Sequence, residues 1–254
     1  MMRLTVLSSA LFAATLAYAD DAKPAEAAPA AARPSAEEIL KRMEALNNGF
    51  QDQRMDIRIN VIDGDGNKKS YDMTMLQKGD SKRLVTFNSG DWKGMSTLVD
   101  GRQVNVYIPA LRKVQRVAAH NMNQSIVGSD LSSEDMADVS WAARWNVAFD
   151  KEDDTSYWLK LTPKAESSYA YVTHRVNKTS FAQTETHYFN DKGEEVKRFI
   201  NSDFTEFHGV KRNRLITVSD PRTSRRTEME IKDFVVNQNL KDELFTVRNL
   251  AWGK

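Results

Sequence analysis

Four histidines, His120, His174, His187 and His208, are the first residues to weigh in this chain of 254, because imidazole serves both metal binding and proton transfer. None has a second histidine two or four positions away, the spacing that sets a pair on one face of a strand or helix. There is no cysteine, which removes thiolate zinc sites, disulfide frameworks, a thiol nucleophile and a lipid-modified terminus. Gly94-Met95-Ser96 begins like a hydrolase nucleophile elbow but lacks the closing glycine. No glycine-rich phosphate loop is present either. Asp63, Asp65 and Asn67 copy the first three ligand positions of a calcium loop, but Lys68 stands where glycine is needed and Thr74 where a bidentate glutamate is needed. A hairpin turn explains those residues better. Glu166, Glu185, Asp203 and Glu206 could supply carboxylates, yet no spacing among them defines an acid–base pair. The expectation is a protein that is not an enzyme and holds no cofactor and no metal.

Three basic clusters remain: Arg112-Lys113-x-x-Arg116, Lys211-Arg212-x-Arg214 and Arg222-x-x-Arg225-Arg226. With 36 basic against 35 acidic residues, the chain lacks the net basic footprint of a nucleic-acid binder. Solvated sheet faces are the plain explanation, and the first two clusters are placed on the solvent side of strands. Arg112, Lys113 and Arg116 are singled out for contact with acidic headgroups or an acidic partner.

The elements that must position these side chains follow from patterning. Met1-Met2-Arg3, an uncharged apolar run of 13 residues from Leu4 to Leu16, and Ala17-Tyr18-Ala19 have the layout of a secretory signal peptide over 1–19. That run is too short to span a bilayer, which takes about 20 residues. Removing it takes away Arg3 and leaves a neutral chain in an oxidising compartment. Residues 20–34 hold seven alanines with Pro24, Pro29 and Pro34, an extended tether. Ser35 and Glu38 have capping-box spacing, and Ile39, Met43, Leu46 and Phe50 form a helical stripe ended by Asn47-Asn48-Gly49.

From Gln53 the period becomes two. Met55, Ile57, Ile59 and Val61 alternate with polar residues, and further strands are expected at 71–75, 83–88, 95–99, 103–108, 113–117, 157–161, 171–177, 184–189, 195–202, 212–219 and 227–234. Residues 63–67, 100–101, 191–193 and 207–209 read as turns. Between Ala118 and Ala148 the strand pattern fails: Ser132 to Asp135 offers caps for a short helix carrying Met136, and Trp141 and Trp145 suggest a second helical turn. A helical insertion in a sheet protein acts as a lid, a plug or a packed connector. Residues 35–254 are expected to form a single, mainly β domain.

The segments Tyr107-Ile108-Pro109-Ala110-Leu111-Arg112-Lys113-Val114-x-Arg116-Val117 and Val127-Gly128-Ser129-Asp130-Leu131-x-x-Glu134-Asp135 resemble the bacterial outer-membrane lipoprotein-sorting family, LolA/LolB-like periplasmic carriers. The ending Leu244-Phe245-Thr246-x-Arg248-Asn249-Leu250 is similar as well. The resemblance implies an incomplete antiparallel β-barrel, or half-barrel, with an N-terminal helix and a helical lid, wrapped around an apolar cavity. It also implies a periplasmic monomer that shuttles a lipid or lipoprotein between inner and outer membranes. An inner-membrane lipid exporter would be the donor, an outer-membrane component the acceptor, and membrane contact transient. No individual arginine takes the cargo-contacting role known in that family. A lipid-sensing regulatory or accessory protein on the same fold is the alternative, with a periplasmic enzyme behind it.

The physics suits such a task. Exposing a 16-carbon chain to water costs on the order of 12 kcal/mol, so a carrier must offer roughly 500 Å² of apolar cover. Met43, Met55, Met73, Met75, Met95, Met122, Met136 and Met229 supply unbranched side chains that adapt to changing cargo, although methionine on a strand also serves as ordinary core. The expected lining is Ile57, Ile59, Met73, Met75, Val104 and Val106, with Ile126, Val127, Leu131 and Met136 in the removable cover. On that assignment Ile59→Glu or Met75→Glu should abolish lipid co-purification and leave a folded protein.

Overall fold

The structure, a computed structural model, describes residues 33–252. The expected signal peptide and the tether up to residue 32 lie outside them. Pro34–Lys254 forms one compact unit.

Helix α1 (Ala36–Asn48) starts where the Ser35 hydroxyl accepts the Glu38 amide at 3.1 Å, and Glu37 and Glu38 add negative charge to its first turn. It buries Ala36, Ile39, Leu40 and Met43. A first antiparallel meander follows: β1 (Asp52–Ile62), β2 (Lys68–Lys78), β3 (Lys82–Phe87), β4 (Ser96–Asp100), β5 (Gln103–Ile108) and β6 (Lys113–Arg116). The β1–β2 turn satisfies itself, because the Asp63 carboxylate accepts the amides of Asp65 and Asn67 at 3.0 and 2.9 Å and the Asn67 side chain at 3.0 Å.

An insertion then carries two short helices, α2 (Ser133–Ala137) and α3 (Trp141–Arg144). The second meander comprises β7 (Trp145–Glu152), β8 (Ser156–Pro163), β9 (Tyr171–Asn177), β10 (Gln183–Phe189), β11 (Glu195–Phe207), β12 (Val210–Ser219) and β13 (Arg226–Val236). His208 and Gly209, both left-handed at φ 47° and 84°, make the tight β11–β12 turn. A final helix, α4 (Val247–Trp252), ends the described chain.

Strand β13 returns to pair with β1, setting Ile59 opposite Met229 and Met55 opposite Phe234. The two meanders thereby merge into one 13-stranded antiparallel sheet whose free edges are β6 and β7. This is the expected open, incomplete barrel, and the insertion is the segment that links its two edges. Strand β7 corrects the sequence reading. Trp141 and Trp145 do not share a helix: α3 stops at Arg144, and Trp145 opens a strand on which Trp145, Val147 and Phe149 alternate toward the interior.

The sheet is strongly curved. Arg83 on β3 and Gln183, Thr186 and Tyr188 on β10 border the same hollow although six strand spacings separate them, a span of roughly 29 Å in a flat sheet. Inside the curve, α1 packs on Trp145, Leu159, Leu161, Tyr169, Val172, Val176 and Tyr188. A larger core joins Met55, Ile57, Ile59, Tyr71, Met73, Val85 and Phe87 to Val218, Ile231 and Phe234, with Leu131 and Met136 reaching in from the insertion. On the other face, Phe245 and Leu250 of the C-terminal segment cover Leu84 and Leu98.

Candidate functional site: a hollow beneath the insertion

Where the insertion crosses the curved sheet, the core is left incomplete. A hollow of ≈210 Å³ lies between Met55, Met73 and Met75 of β1 and β2, Phe199, Ile216 and Met229 of β11 to β13, and Leu131, Met136, Val139 and Trp141 of the insertion. Five of its apolar walls are methionine, the side chain best able to repack around a guest.

Besides buried Leu131, Met136, Ala137 and Val139, polar contacts tie the cover to the sheet. Ser132 and Asp135 form a complete capping box at the start of α2. Arg83 Nη1 donates to the Met136 carbonyl at 2.9 Å. Lys197 Nζ reaches Asp135 at 2.6 Å, and the Tyr169 hydroxyl donates to the same carboxylate at 3.0 Å. Glu134 accepts the Ser167 hydroxyl at 2.6 Å, and Asp130 exchanges hydrogen bonds with Thr227 at 2.7 and 2.9 Å. Glu44 of α1 caps α3 by accepting the Trp141 and Ala142 amides at 2.5 and 3.2 Å.

One rim of the hollow is polar. Gln53, Gln77, Arg83, Gln183, Asn201, Arg212 and Asn213 face it. Gln77 Oε1 accepts from Arg83 at 2.9 and 3.2 Å. Arg212 is different: its guanidinium lies 4.3 Å over the Phe234 ring, and its Nε and Nη1 are buried with no hydrogen-bond partner. Burial pulls both arginines down to about 10, and for Arg212 the neighbouring Arg83 charge adds to the effect. Both remain cations at neutral pH. Asp138, buried beside the same space, is pushed up to about 7 by burial, which its ion pair with Arg144 at 2.7 Å and the Trp145 indole only partly offset.

Of the residues expected to contact lipid, Met73, Met75, Leu131 and Met136 border the hollow. The other six do not. Ile57 and Ile59 are packed within the larger core, Ile59 with no exposure at all. Val106, Ile126 and Val127 are half-buried against that core, and Val104 is sealed under Ala137 and Val139. Val127 also adopts φ 51°, strained for a β-branched residue, in the bend with Gly128. Ile59→Glu would bury an unpaired carboxylate in filled core and so tests folding rather than cargo. Period two identified the inward face of each strand but not where that face leaves space.

The basic residues divide too. Arg112 and Lys113 are exposed at the turn leading into β6, while exposed Arg116 borders a separate open cleft with Arg102, His120 and Arg144. Arg212 is not on a solvent face as expected; it sits on the concave side of β12 with Val210, Ile216 and Val218, while Lys211 and Arg214 are exposed. Alternation alone does not single it out, because exposed Arg214 has the same parity. Met55, Met229 and Phe199 were likewise missed as lining.

Among the described residues, no group of three or more His, Asp or Glu side chains is placed to hold a metal ion. No helix there is long and apolar enough to cross a membrane. Nδ1 of the buried His174 lies 2.9 Å from Gln183 Nε2 and 3.1 Å from the Thr186 hydroxyl, and its Nε2 is buried without a partner. Its ring centroid lies 4.3 Å from that of Trp141.

The fold has known counterparts. A DUF1329 family protein from Desulfovibrio piger superposes with a TM-score of 0.76 at 22% identity, covering 84% of this chain and 96% of that one. A putative outer membrane lipoprotein-sorting protein domain from Vibrio parahaemolyticus gives 0.76 at 18% identity, with 85% and 98% covered. A LolA superfamily protein from Nitrosomonas europaea gives 0.74 at 20% identity, with 85% and 99% covered. No curated protein sequence matches the chain. A family model described as an uncharacterized protein matches residues 79–252, more than half of the length. The chain belongs to that family, and its fold is the incomplete barrel of the LolA superfamily and of outer-membrane lipoprotein-sorting domains.

Proposed function

We propose that this protein is a periplasmic carrier that takes the acyl chains of a lipid or lipoprotein into the hollow and moves them between the inner and outer membranes. The observation that carries this reading is the methionine-lined gap left where a short, polar-anchored cover crosses the curved sheet. At ≈210 Å³ the gap is smaller than the roughly 300–1,000 Å³ of ordinary ligand pockets, so a whole acyl chain requires the cover to swing away. Lifting the cover lets water replace its hydrogen bonds, and it also exposes Leu131, Met136, Ala137 and Val139, an apolar cost that acyl chains entering the hollow would offset. Exposed Arg112, Lys113 and Arg116 would meet acidic headgroups or a donor protein during loading. Delivery needs no covalent chemistry, only rising affinity from donor to carrier to acceptor.

Met75→Glu is the direct test, since Met75 borders the hollow and is only half-buried. Native mass spectrometry of wild-type protein from its own periplasm should reveal bound acyl species. The variant should have lost them while keeping its circular dichroism spectrum. A wild-type protein that carries no lipid, or a folded variant with unchanged lipid content, sinks the proposal.

A further inference from the structure

Arg212 has no use in a simple grease-filled hollow. A guanidinium removed from water costs several kcal/mol unless it is paired, and this one has Nε and Nη1 buried without a partner. Its aromatic contact with Phe234 does not neutralise it. The second cation bordering the hollow, Arg83, adds repulsion. No carboxylate bordering the hollow bonds to Arg212: Glu44 takes the amides of α3, Asp135 takes Lys197 and Tyr169, and Asp138 takes Arg144 and acts at longer range on Arg83. Arg83 spends its donors on Gln77 and the Met136 carbonyl. Arg212 is thus the guanidinium with donors left over, at the polar rim of an apolar space.

We propose that the cargo enters with an ionised head turned inward, a single-chain carboxylate whose carboxylate group pairs with Arg212 while its hydrocarbon lies along Met73, Met75, Ile216 and Met229. The class follows from the unpartnered donors: a carboxylate is the compact monoanion that pairs with one edge of a guanidinium, Nε with Nη2 or Nη1 with Nη2. A phosphate monoester, with up to two charges, would call on Arg83 as well and detach it from the cover. This inference rests on the carrier reading and narrows it.

The test uses the delipidated full chain and isothermal titration with dodecanoate, methyl dodecanoate and dodecyl phosphate below their micellar concentrations. Dodecanoate should bind at least tenfold more tightly than its neutral ester, the scale of one charge-assisted hydrogen bond. Arg212→Met should remove that preference and leave ester affinity within about twofold, and Arg212→Lys should retain part of it. Removing an unpaired buried charge is not expected to lower the melting temperature. If the variant nevertheless fails to fold, the acid-against-ester ratio of the wild type decides alone. Equal affinity for acid and ester, an acid preference that survives in Arg212→Met, or preference for the phosphate overturns the carboxylate assignment and leaves the carrier reading standing. Failure of all three probes to bind overturns both.

Discussion

One curved sheet carries two covers built in opposite ways. Over β7 to β10 lies α1, 13 residues long, meeting Trp145, Leu159, Leu161, Val172 and Val176, none more than 2% exposed. Aromatic rings complete that end, with the Tyr169 and Tyr188 centroids 4.6 Å apart. Over β1 to β3 and β11 to β13 lies the insertion, whose α2 has five residues and meets the sheet through methionines and polar ties around a gap. Rigid side chains packed to interior density make a permanent plug. Flexible thioethers around unfilled space make a cover that can leave. The sheet supplies curvature to both ends, and on the proposed carrier reading the side chains under each cover decide which end can open.

The widest expected contrast is in packing energy. Leu161→Ala, at a fully buried site under α1, should cost about 2–5 kcal/mol of unfolding free energy. Met75→Ala should cost nearer 1 kcal/mol, because half-buried Met75 already faces empty space and little new cavity is made. Urea unfolding of the two variants measures both values, and equal losses would erase the distinction between plug and cover.

Acid should attack the plugged end next. His174 is buried, and burial with help from the His187 charge pulls its imidazole down to about 3, against about 6.5 in the unfolded chain. Between those values the unfolded state binds the additional proton, so stability falls as pH drops from 6.5 toward 3, by about 2 kcal/mol at pH 5. Asp138, raised to about 7, acts in the opposite sense from pH 7 down to its unfolded value near 4. Comparing His174→Gln with wild type isolates the histidine contribution: the wild type should lose more stability between pH 7 and pH 5 than the variant. Parallel pH profiles would mean that the site already accepts the charged ring.

The sequence made the framework legible because strands advertise themselves by alternation and turns by glycine and aspartate. The inward set Met55, Ile57 and Ile59 and the hairpin at Asp63 to Asn67 needed nothing more. Strand β7 escaped because Trp141 and Trp145 have helical spacing, and the pairing that makes Trp145 a strand residue comes from Pro163, 18 positions away. The hollow was legible only in part. Alternation says which residues face inward, whereas the gap depends on how the insertion settles on the sheet, sealing Val104 under Ala137 and Val139 but leaving space beside Met75, Leu131 and Met136. Arg212 was obscured by company: between exposed Lys211 and the Arg214 that follows, its charge reads as surface, and alternation does not separate it, because exposed Arg214 shares the parity of Arg212, Ile216 and Val218.

The smallest expected effect is the most local. The Ser132 hydroxyl accepts the Asp135 amide at 3.3 Å while Asp135 returns a bond to the Ser132 amide at 2.8 Å, so Ser132→Ala removes one arm of the α2 cap. Such caps contribute about 1 kcal/mol. If the cover opens independently of the sheet, that energy belongs to the opening step alone. Amide exchange in α2 should then rise about fivefold while exchange in β8 and β9 and the melting temperature stay unchanged. If α2 instead unfolds only with the whole domain, the same substitution should lower the melting temperature by about 2–4 °C and speed exchange in α2 and in the plugged strands alike. The second result would make the insertion a second plug, and the methionine-lined gap would then be a packing defect with no door.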